Sequence, residues 1–403
     1  MTHSDLYSQL KIENNSAEAG VLRALARRLV KIGERTERGS LKVIYPSGKA
    51  QLIGSGEPRA EVTIKHWGAI SALVSKGDVG WGEAYLEGLW DSPDIEALAR
   101  FTIDNAAAFE AELSANPLKR LFLIVSDRII RRNNRKGSVR NITAHYDVGD
   151  DFYRLWLDET MTYSSALFSN VSDDLATAQK RKYQRLLDIT ATAGKKTLEI
   201  GCGWGGFAEL AVEAGRDLTA ITISPRQHHY ATQRLKNEAV IQLKDYRDIK
   251  GKFDSIVSIE MIEAVGEQYW PRYFKTIKDC LADHGKAAIQ AIVVEDSYFP
   301  IYRSRSDFIR QHVFPGGMLL SPQKIQESAE NAGLKVDGLF RFGKDYAKTL
   351  RLWLDKFEAS LSEIHDLGYD DRFVRVWRYY LAICAATFSS GRTDVMQIEL
   401  SHA

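Results

Sequence analysis

The chain has 403 residues, of which 44% are hydrophobic and 27% charged, and a formal net charge of +1. That length exceeds one ordinary core, so two domains, or one domain with large additions, is the expectation. The balanced charge gives no global case for nucleic acid, and the isolated cysteines Cys202, Cys280 and Cys384 suggest neither a disulfide framework nor a zinc site, so no metal is expected.

The N-terminus, MTHSDLYSQL, lacks a basic segment followed by an apolar one, and no stretch approaches the roughly 20 apolar residues of a membrane span. A cytoplasmic protein is expected. Residues 16 to 37 carry apolar positions at helical spacing, with Val21, Leu22, Leu25 and Leu29 among them. Ser40 to Ile44 and Ala60 to Ile64 read as short strands between Gly- and Pro-rich turns. Helical patterns follow at His66 to Ser75 and Ile95 to Thr102, making residues 1–115 a small α+β unit without metal-ligand or nucleophile–base clusters. Its expected role is binding or docking.

Residues 116–142 form a junction in which an apolar run from Leu121 to Val125 is flanked by Lys119, Arg120, Arg128, Arg131, Arg132, Arg135, Lys136 and Arg140. Two readings stand level here: a basic amphipathic segment lying on anionic lipid, and a linker helix with a solvated face.

From residue 143 onward the pattern becomes βαβ. Strands are predicted at Lys196–Ile200, Asp217–Ile223, Ala239–Leu243, Phe253–Ile259 and Lys286–Val294, with helices between them. This is an α/β fold with a mostly parallel sheet and ligands beyond the strands' carboxyl ends. An irregular aromatic stretch, Tyr298 to Phe314, and two apolar helices, Leu350–Leu361 and Phe373–Phe388, are placed to cover the site.

The segment KTLEIGCGWGGF (196–207) runs from a buried strand through Gly201, Gly203, Gly205 and Gly206 into a helix, a ready place for an adenosine-bearing cofactor. A dinucleotide site needs an acid closing the second strand. Here that strand ends Ile221-Thr222-Ile223-Ser224-Pro225-Arg226-Gln227, without a carboxylate. S-adenosylmethionine fits better, with Glu199 in the first strand, Thr222, Ser224 and Gln227 at the ribose, and Asp245-Tyr246-Arg247-Asp248 within reach of the adenine.

Seven segments then share an order and near-spacing: HYDVGDDFYRLWLDETMTYSSALF (145–168), LEIGCGWGG (198–206), TISPRQ (222–227), DYRDI (245–249), EMIEAVG (260–266), VFPGG (313–317) and FGKDY (342–346). Together they resemble the cyclopropane fatty acid synthase family over roughly residues 140 to 400. The resemblance implies a Rossmann-like class I methyltransferase sheet with a helical lid and acyl-pocket insertion, preceded by a lipid-engaging N-terminal domain. It implies methyl transfer from S-adenosylmethionine to a cis-unsaturated acyl chain of a membrane phospholipid, closing a cyclopropane. The enzyme would sit peripherally on the inner membrane face, and homodimerisation would add a second attachment point. Cofactor contacts are implied for Tyr163, Ser164, Gly201, Gly203, Thr222, Gln227, Tyr246 and Arg247.

The family holds a bicarbonate ion as base, using Cys, Glu, His, a backbone group and Tyr. The resemblance assigns the Glu to Glu263, the Tyr to Tyr346 and the backbone contact to Ile292. The Cys position is Ser165 and the His position Gln290, neither able to ionise. Those two departures open an alternative, methyl transfer without ring closure, giving a methyl-branched or methylene chain. Cys384 aligns with a cysteine once proposed as catalytic; on an apolar helix it reads as a small packed residue. His145 and Asp147 open the HYDVG segment, with lid closure as their expected role. Two other classes compete: a methyltransferase of soluble small molecules, and a non-catalytic lipid-binding protein.

Overall fold

The structure, a computed structural model, describes residues 31–113 and 148–403. Most of the first expected helix, the whole 116–142 junction, and His145 and Asp147 lie outside those residues.

Ser40–Ile44 (β1), Ala50–Gly54 (β2), Pro58–Ile64 (β3) and Trp90–Asp91 (β4) form a sheet in the order β2-β1-β3-β4. β2 was not among the expected strands; it pairs antiparallel with β1, while β3 runs parallel to β1. Helices Gly68–Lys76, Asp78–Leu86 and Ile95–Asp104 pack with this sheet. Asp94 starts the last of them by accepting the Ala97 N–H at 2.8 Å, an N-cap that satisfies one orphan donor.

A second sheet of seven strands has the order β10-β11-β9-β8-β5-β6-β7. Its strands are Lys196–Ile200 (β5), Asp217–Thr222 (β6), Val240–Leu243 (β7), Phe253–Ile259 (β8), Leu281–Val294 (β9), Leu334–Arg341 (β10) and Thr393–His402 (β11). β5 to β9 are mutually parallel, and β11 runs antiparallel to both β9 and β10. Leu198, Ile200, Ile256, Val257 and Ile289 are almost fully buried, each such side chain contributing roughly 1.5–3 kcal/mol. β6 and β7 lie on one side of β5, β8 and β9 on the other. The order therefore reverses between β5 and β8, and the crevice opens at their carboxyl ends.

The expected apolar helices lie within Gly343–Ala359 and Asp371–Ser390, which pack against each other. The stretch from Tyr298 to Phe314 holds two short helices, Phe299–Arg303 and Phe308–His312. The small sheet's unit joins the large one through a contiguous apolar core: Tyr85 stacks on Tyr379 at 5.3 Å, and Phe308 meets Tyr379 edge-on at 4.7 Å. Polar links frame it. Arg351 binds Glu96, and the Arg375 guanidinium donates to the Tyr85 and Trp90 carbonyls.

Candidate active site

The glycine turn leaves β5 at the crevice. Gly201 (φ +85) and Gly203 (φ +52) adopt backbone that side chains disfavour. A Cβ on Gly201 would meet Met261 Cγ at 2.8 Å, whereas beside Gly203 there is open space to 4 Å. Glu199, in β5 just before the turn, is 2% exposed and its Oε2 has no hydrogen-bond partner among the described residues. Burial pushes its carboxyl up to about 8, opposed by the positive charge of Lys182. An orphaned buried carboxyl beside an open glycine is a fit for the amino-acid end of S-adenosylmethionine.

At the end of β6, Thr222, Ser224 and Gln227 are buried and interlocked. Thr222 Oγ1 donates to Gln227 Oε1 at 2.9 Å, and Ser224 caps the helix Pro225–Leu235 by accepting the Gln227 N–H at 3.3 Å. Beyond β7, Arg247 clasps Asp245 with both Nε and Nη2. Tyr246 beside them is buried, which pushes its hydroxyl up to about 12.

The helix Leu175–Ile189 buries Leu175, Ala178, Gln179, Lys182, Tyr183 and Leu186, the face spacing of an amphipathic helix. Two polar members of that face grip one loop residue: Gln179 Nε2 donates to the Ser164 carbonyl at 2.9 Å, and Lys182 Nζ to Ser164 Oγ at 2.6 Å. Lys182 is fully buried, and desolvation pulls its ammonium down to about 7 against the attraction of Glu260, Asp158 and Glu199.

The centre of the site is a residue that sequence reasoning passed over, Glu260. It leaves β8 with φ +47, a conformation uncommon outside glycine. Its Oε1 accepts the Ser165 N–H at 2.9 Å and Gln290 Nε2 at 2.8 Å, and its Oε2 accepts the Tyr346 hydroxyl at 2.7 Å. Burial raises this carboxyl, while Lys182 and the three donors lower it. Part of the residue remains accessible.

Three of the residues expected around an anion, Ser165, Gln290 and Tyr346, donate to the Glu260 carboxylate. Ser165 contributes its backbone N–H; its hydroxyl donates instead to the Ala166 carbonyl at 3.0 Å. Glu263 stands apart with Ile292, whose N–H it accepts at 2.5 Å. Its Oε2 has no partner among the described residues, and burial plus the charge of Glu260 push its carboxyl up to about 8. Cys384 makes no bond to this group, and desolvation holds its thiol far above the usual range, so it offers little thiolate.

The signal for Glu260 lies in SIEMIEAVG, where two glutamates three residues apart follow an apolar strand; the family resemblance points to the second. Lys182 carried no signal, since KRKYQRL reads as a solvated helix face.

Aromatic rings enclose the far side. Tyr163 lies 5.4 Å from Trp353 and 5.5 Å from both Tyr153 and Trp156, and its hydroxyl donates to that of Tyr380 at 2.9 Å.

The model of the mycolic acid cyclopropane synthetase family matches residues 133–398. A Mycobacterium tuberculosis protein named tuberculostearic acid methyltransferase UfaA1 is 36% identical over 375 residues, spanning 89% of this chain and 86% of its own. The Escherichia coli K12 cyclopropane-fatty-acyl-phospholipid synthase is 30% identical over 356 residues, covering 88% of this chain and 91% of its own. Among solved structures, mycolic acid cyclopropane synthase CmaA1 complexed with S-adenosylhomocysteine and CTAB superposes with a TM-score of 0.61 at 30% identity. That match covers 65% of this chain and 97% of that one.

Proposed function

The chain belongs to the mycolic acid cyclopropane synthetase family and is an S-adenosylmethionine-dependent methyltransferase acting on lipid double bonds; from that premise we propose that its substrate is a cis-unsaturated acyl chain of a membrane phospholipid and its product a cyclopropane. Relatives named for cyclopropane synthesis and for fatty acid methylation both stand among its matches. The observation that carries the reading is a carboxylate, Glu260, fixed by three donors at the crevice and linked through Tyr346 to a cluster of aromatic rings.

Bound S-adenosylmethionine supplies a sulfonium methyl, an electrophile strong enough for an unactivated alkene. Glu199 and the Gly201–Gly203 turn would hold its amino-acid end, Tyr163 and Ser164 would close over it, Thr222, Ser224 and Gln227 would take the ribose, and Tyr246 and Arg247 would flank the adenine. The rings of Tyr163, Trp353 and Tyr380 would present negative faces to an acyl carbocation, a contact worth about 2 kcal/mol or more when desolvated. Tyr346, Gln290 and the Ser165 N–H would hold Glu260 in place, with Glu263 and Ile292 forming the adjoining wall.

The N-terminal unit is assigned a lipid-engaging role. An apolar cavity of about 440 Å³ supports it, lined by Ile53, Val62, Leu98, Tyr379 and Ile383 with Arg305 and Arg392 among its polar residues. No helix among the described residues is long and apolar enough to cross a membrane; peripheral attachment and a homodimer belong to the same proposal.

Release of S-adenosylhomocysteine, followed with vesicles of cis-unsaturated and of fully saturated phospholipid, tests the reading. Release with the first alone is expected. Equal release with both, or with neither while a soluble amine is methylated, would remove the acyl substrate.

A further inference from the structure

We propose that Glu260 is the proton acceptor of the reaction, a carboxylate built into the chain where the family resemblance calls for a bicarbonate ion. The inference rests on the methyl-transfer reading above and concerns the step after it.

Three observations carry it. First, at three positions that resemblance assigns to the anion, the Ser165 N–H, Gln290 Nε2 and the Tyr346 hydroxyl donate to Glu260 at 2.9, 2.8 and 2.7 Å, and the Ser165 hydroxyl is spent on the Ala166 carbonyl. A bicarbonate in the same place would clash with a carboxylate or stand beside its charge, a like-charge pair that desolvation makes costly. The bicarbonate expectation therefore does not fit these residues. Second, the polarity of the bonds is fixed from outside. Arg185 Nη1 donates to Gln397 Oε1 at 2.8 Å, and an arginine can only donate. Gln397 must then turn its Nε2 to Gln290 Oε1, at 3.0 Å, which leaves Gln290 Nε2 to face Glu260. Gln290 and the Ser165 N–H are thus committed donors to Oε1, while Tyr346 at Oε2 has a hydroxyl that can donate or accept. Oε2 is the oxygen free to take a proton. Third, Glu260 sits in the left-handed region at φ +47, backbone that favours glycine, so the chain tolerates strain to place this side chain.

The step balances without a further reagent. Methyl transfer leaves a carbocation on the acyl chain and a neutral thioether. A C–H bond then breaks, either on the transferred methyl or on a chain carbon next to the cationic centre. Its electron pair bonds the methyl carbon to the cationic carbon and closes the three-membered ring in the first case, and forms a double bond in the second. The proton goes to Glu260 Oε2, giving the neutral acid with Tyr346 as acceptor, and is later released to solvent.

The test compares the full-length protein with Glu260→Gln and Glu260→Gly on cis-unsaturated phospholipid vesicles, in carbon dioxide-depleted buffer with and without added bicarbonate. Calorimetry with S-adenosylmethionine checks that each variant is folded. The wild type is expected to turn over at the same rate in both buffers. Glu260→Gln, isosteric but not basic, should lose on the order of 10²–10⁴-fold in kcat in both. Glu260→Gly, which relieves the φ and opens the anion site, should lose as much without bicarbonate and recover when it is added. A wild-type rate that depends on bicarbonate, or a Glu260→Gln variant at wild-type rate, would overturn the assignment. If the wild type releases no S-adenosylhomocysteine with lipid in either buffer, the methyl-transfer reading itself fails.

Discussion

Gln397 donates its side-chain amide to Gln290 Oε1 at 3.0 Å, and that contact decides which end of Gln290 meets Glu260. Both glutamines are fully buried or nearly so, so neither amide can trade its partner for water. Gln397→Leu removes the constraint and orphans Gln290 Oε1, at a cost of about 1–3 kcal/mol in stability. With Gln290 released, one charged hydrogen bond to Glu260 weakens, and kcat should fall roughly 10- to 100-fold with KM for S-adenosylmethionine unchanged. The kcat–pH profile separates this from a general loss of folding: losing a donor to Glu260 should move the acid limb to higher pH, whereas fewer active molecules would lower the rate without moving it.

Lys182 is the positive charge buried near Glu260 and Glu199. In Lys182→Met both carboxyls lose an ion that favours their charged forms, so Glu260 takes up a proton more readily. The acid limb of the kcat–pH profile should move to higher pH by about one unit or more, each unit being about 1.4 kcal/mol. An unmoved acid limb would show that Lys182 serves packing alone.

Glu199 predicts how cofactor binding responds to pH. Its carboxyl sits at about 8 in the free protein, so it is protonated at neutral pH. A cationic ligand beside it favours the ionised form, and binding then releases a proton. Affinity should rise with pH to about 8 and level off above. Calorimetry in two buffers of different ionisation heat measures the proton directly, and Glu199→Gln should abolish it.

The same raised values act on stability. Glu199 and Glu263 bind protons more tightly folded than unfolded, where the ordinary value is 4.5. Between about 4.5 and 8 the native state therefore holds more protons, and the free protein loses stability as pH rises through that window. Lys182 acts oppositely, because its folded value of about 7 lies below the ordinary 10.5. It adds stability with rising pH above about 7. Thermal midpoints should fall from acid to neutral pH and flatten beyond it.

Arg375 ties the helix Asp371–Ser390 to the small unit through the Tyr85 and Trp90 carbonyls, and its guanidinium lies 3.8 Å over the Tyr85 ring. Arg375→Ala leaves those carbonyls unpaired and should cost roughly 1–3 kcal/mol. Hydrogen exchange should quicken in Pro58–Ile64 and Trp90–Asp91 while the β5–β8 amides stay protected.

How far the chain could be read from its letters follows from what each element buries. β5, β6, β7 and β8 are parallel strands with apolar runs, and they stand out between turn signals; β5 and β8 match their predicted spans, and the glycine turn lies where expected. β10 and β11 escape prediction because LKVDGLFR and TDVMQIELSH mix charged and apolar residues, and β10 alternates half-buried with exposed positions around Gly338. The Glu260–Glu263 choice was illegible for another reason. After a strand ends, a single positive φ redirects the side chain, and spacing alone cannot say which of two glutamates turns inward. Lys182 needed the helix's buried face, which only the packed fold supplies.

The reaction proposed for this chain adds the methyl carbon of S-adenosylmethionine to a lipid double bond. Carbon-13 NMR of phospholipid recovered after incubation with methyl-labelled cofactor measures it at the atom concerned. The label is expected in a cyclopropane methylene group of the acyl chain. A label in a methyl or exocyclic methylene carbon would replace ring closure with simple methylation, and lipid without label would rule out methyl transfer to the acyl chain.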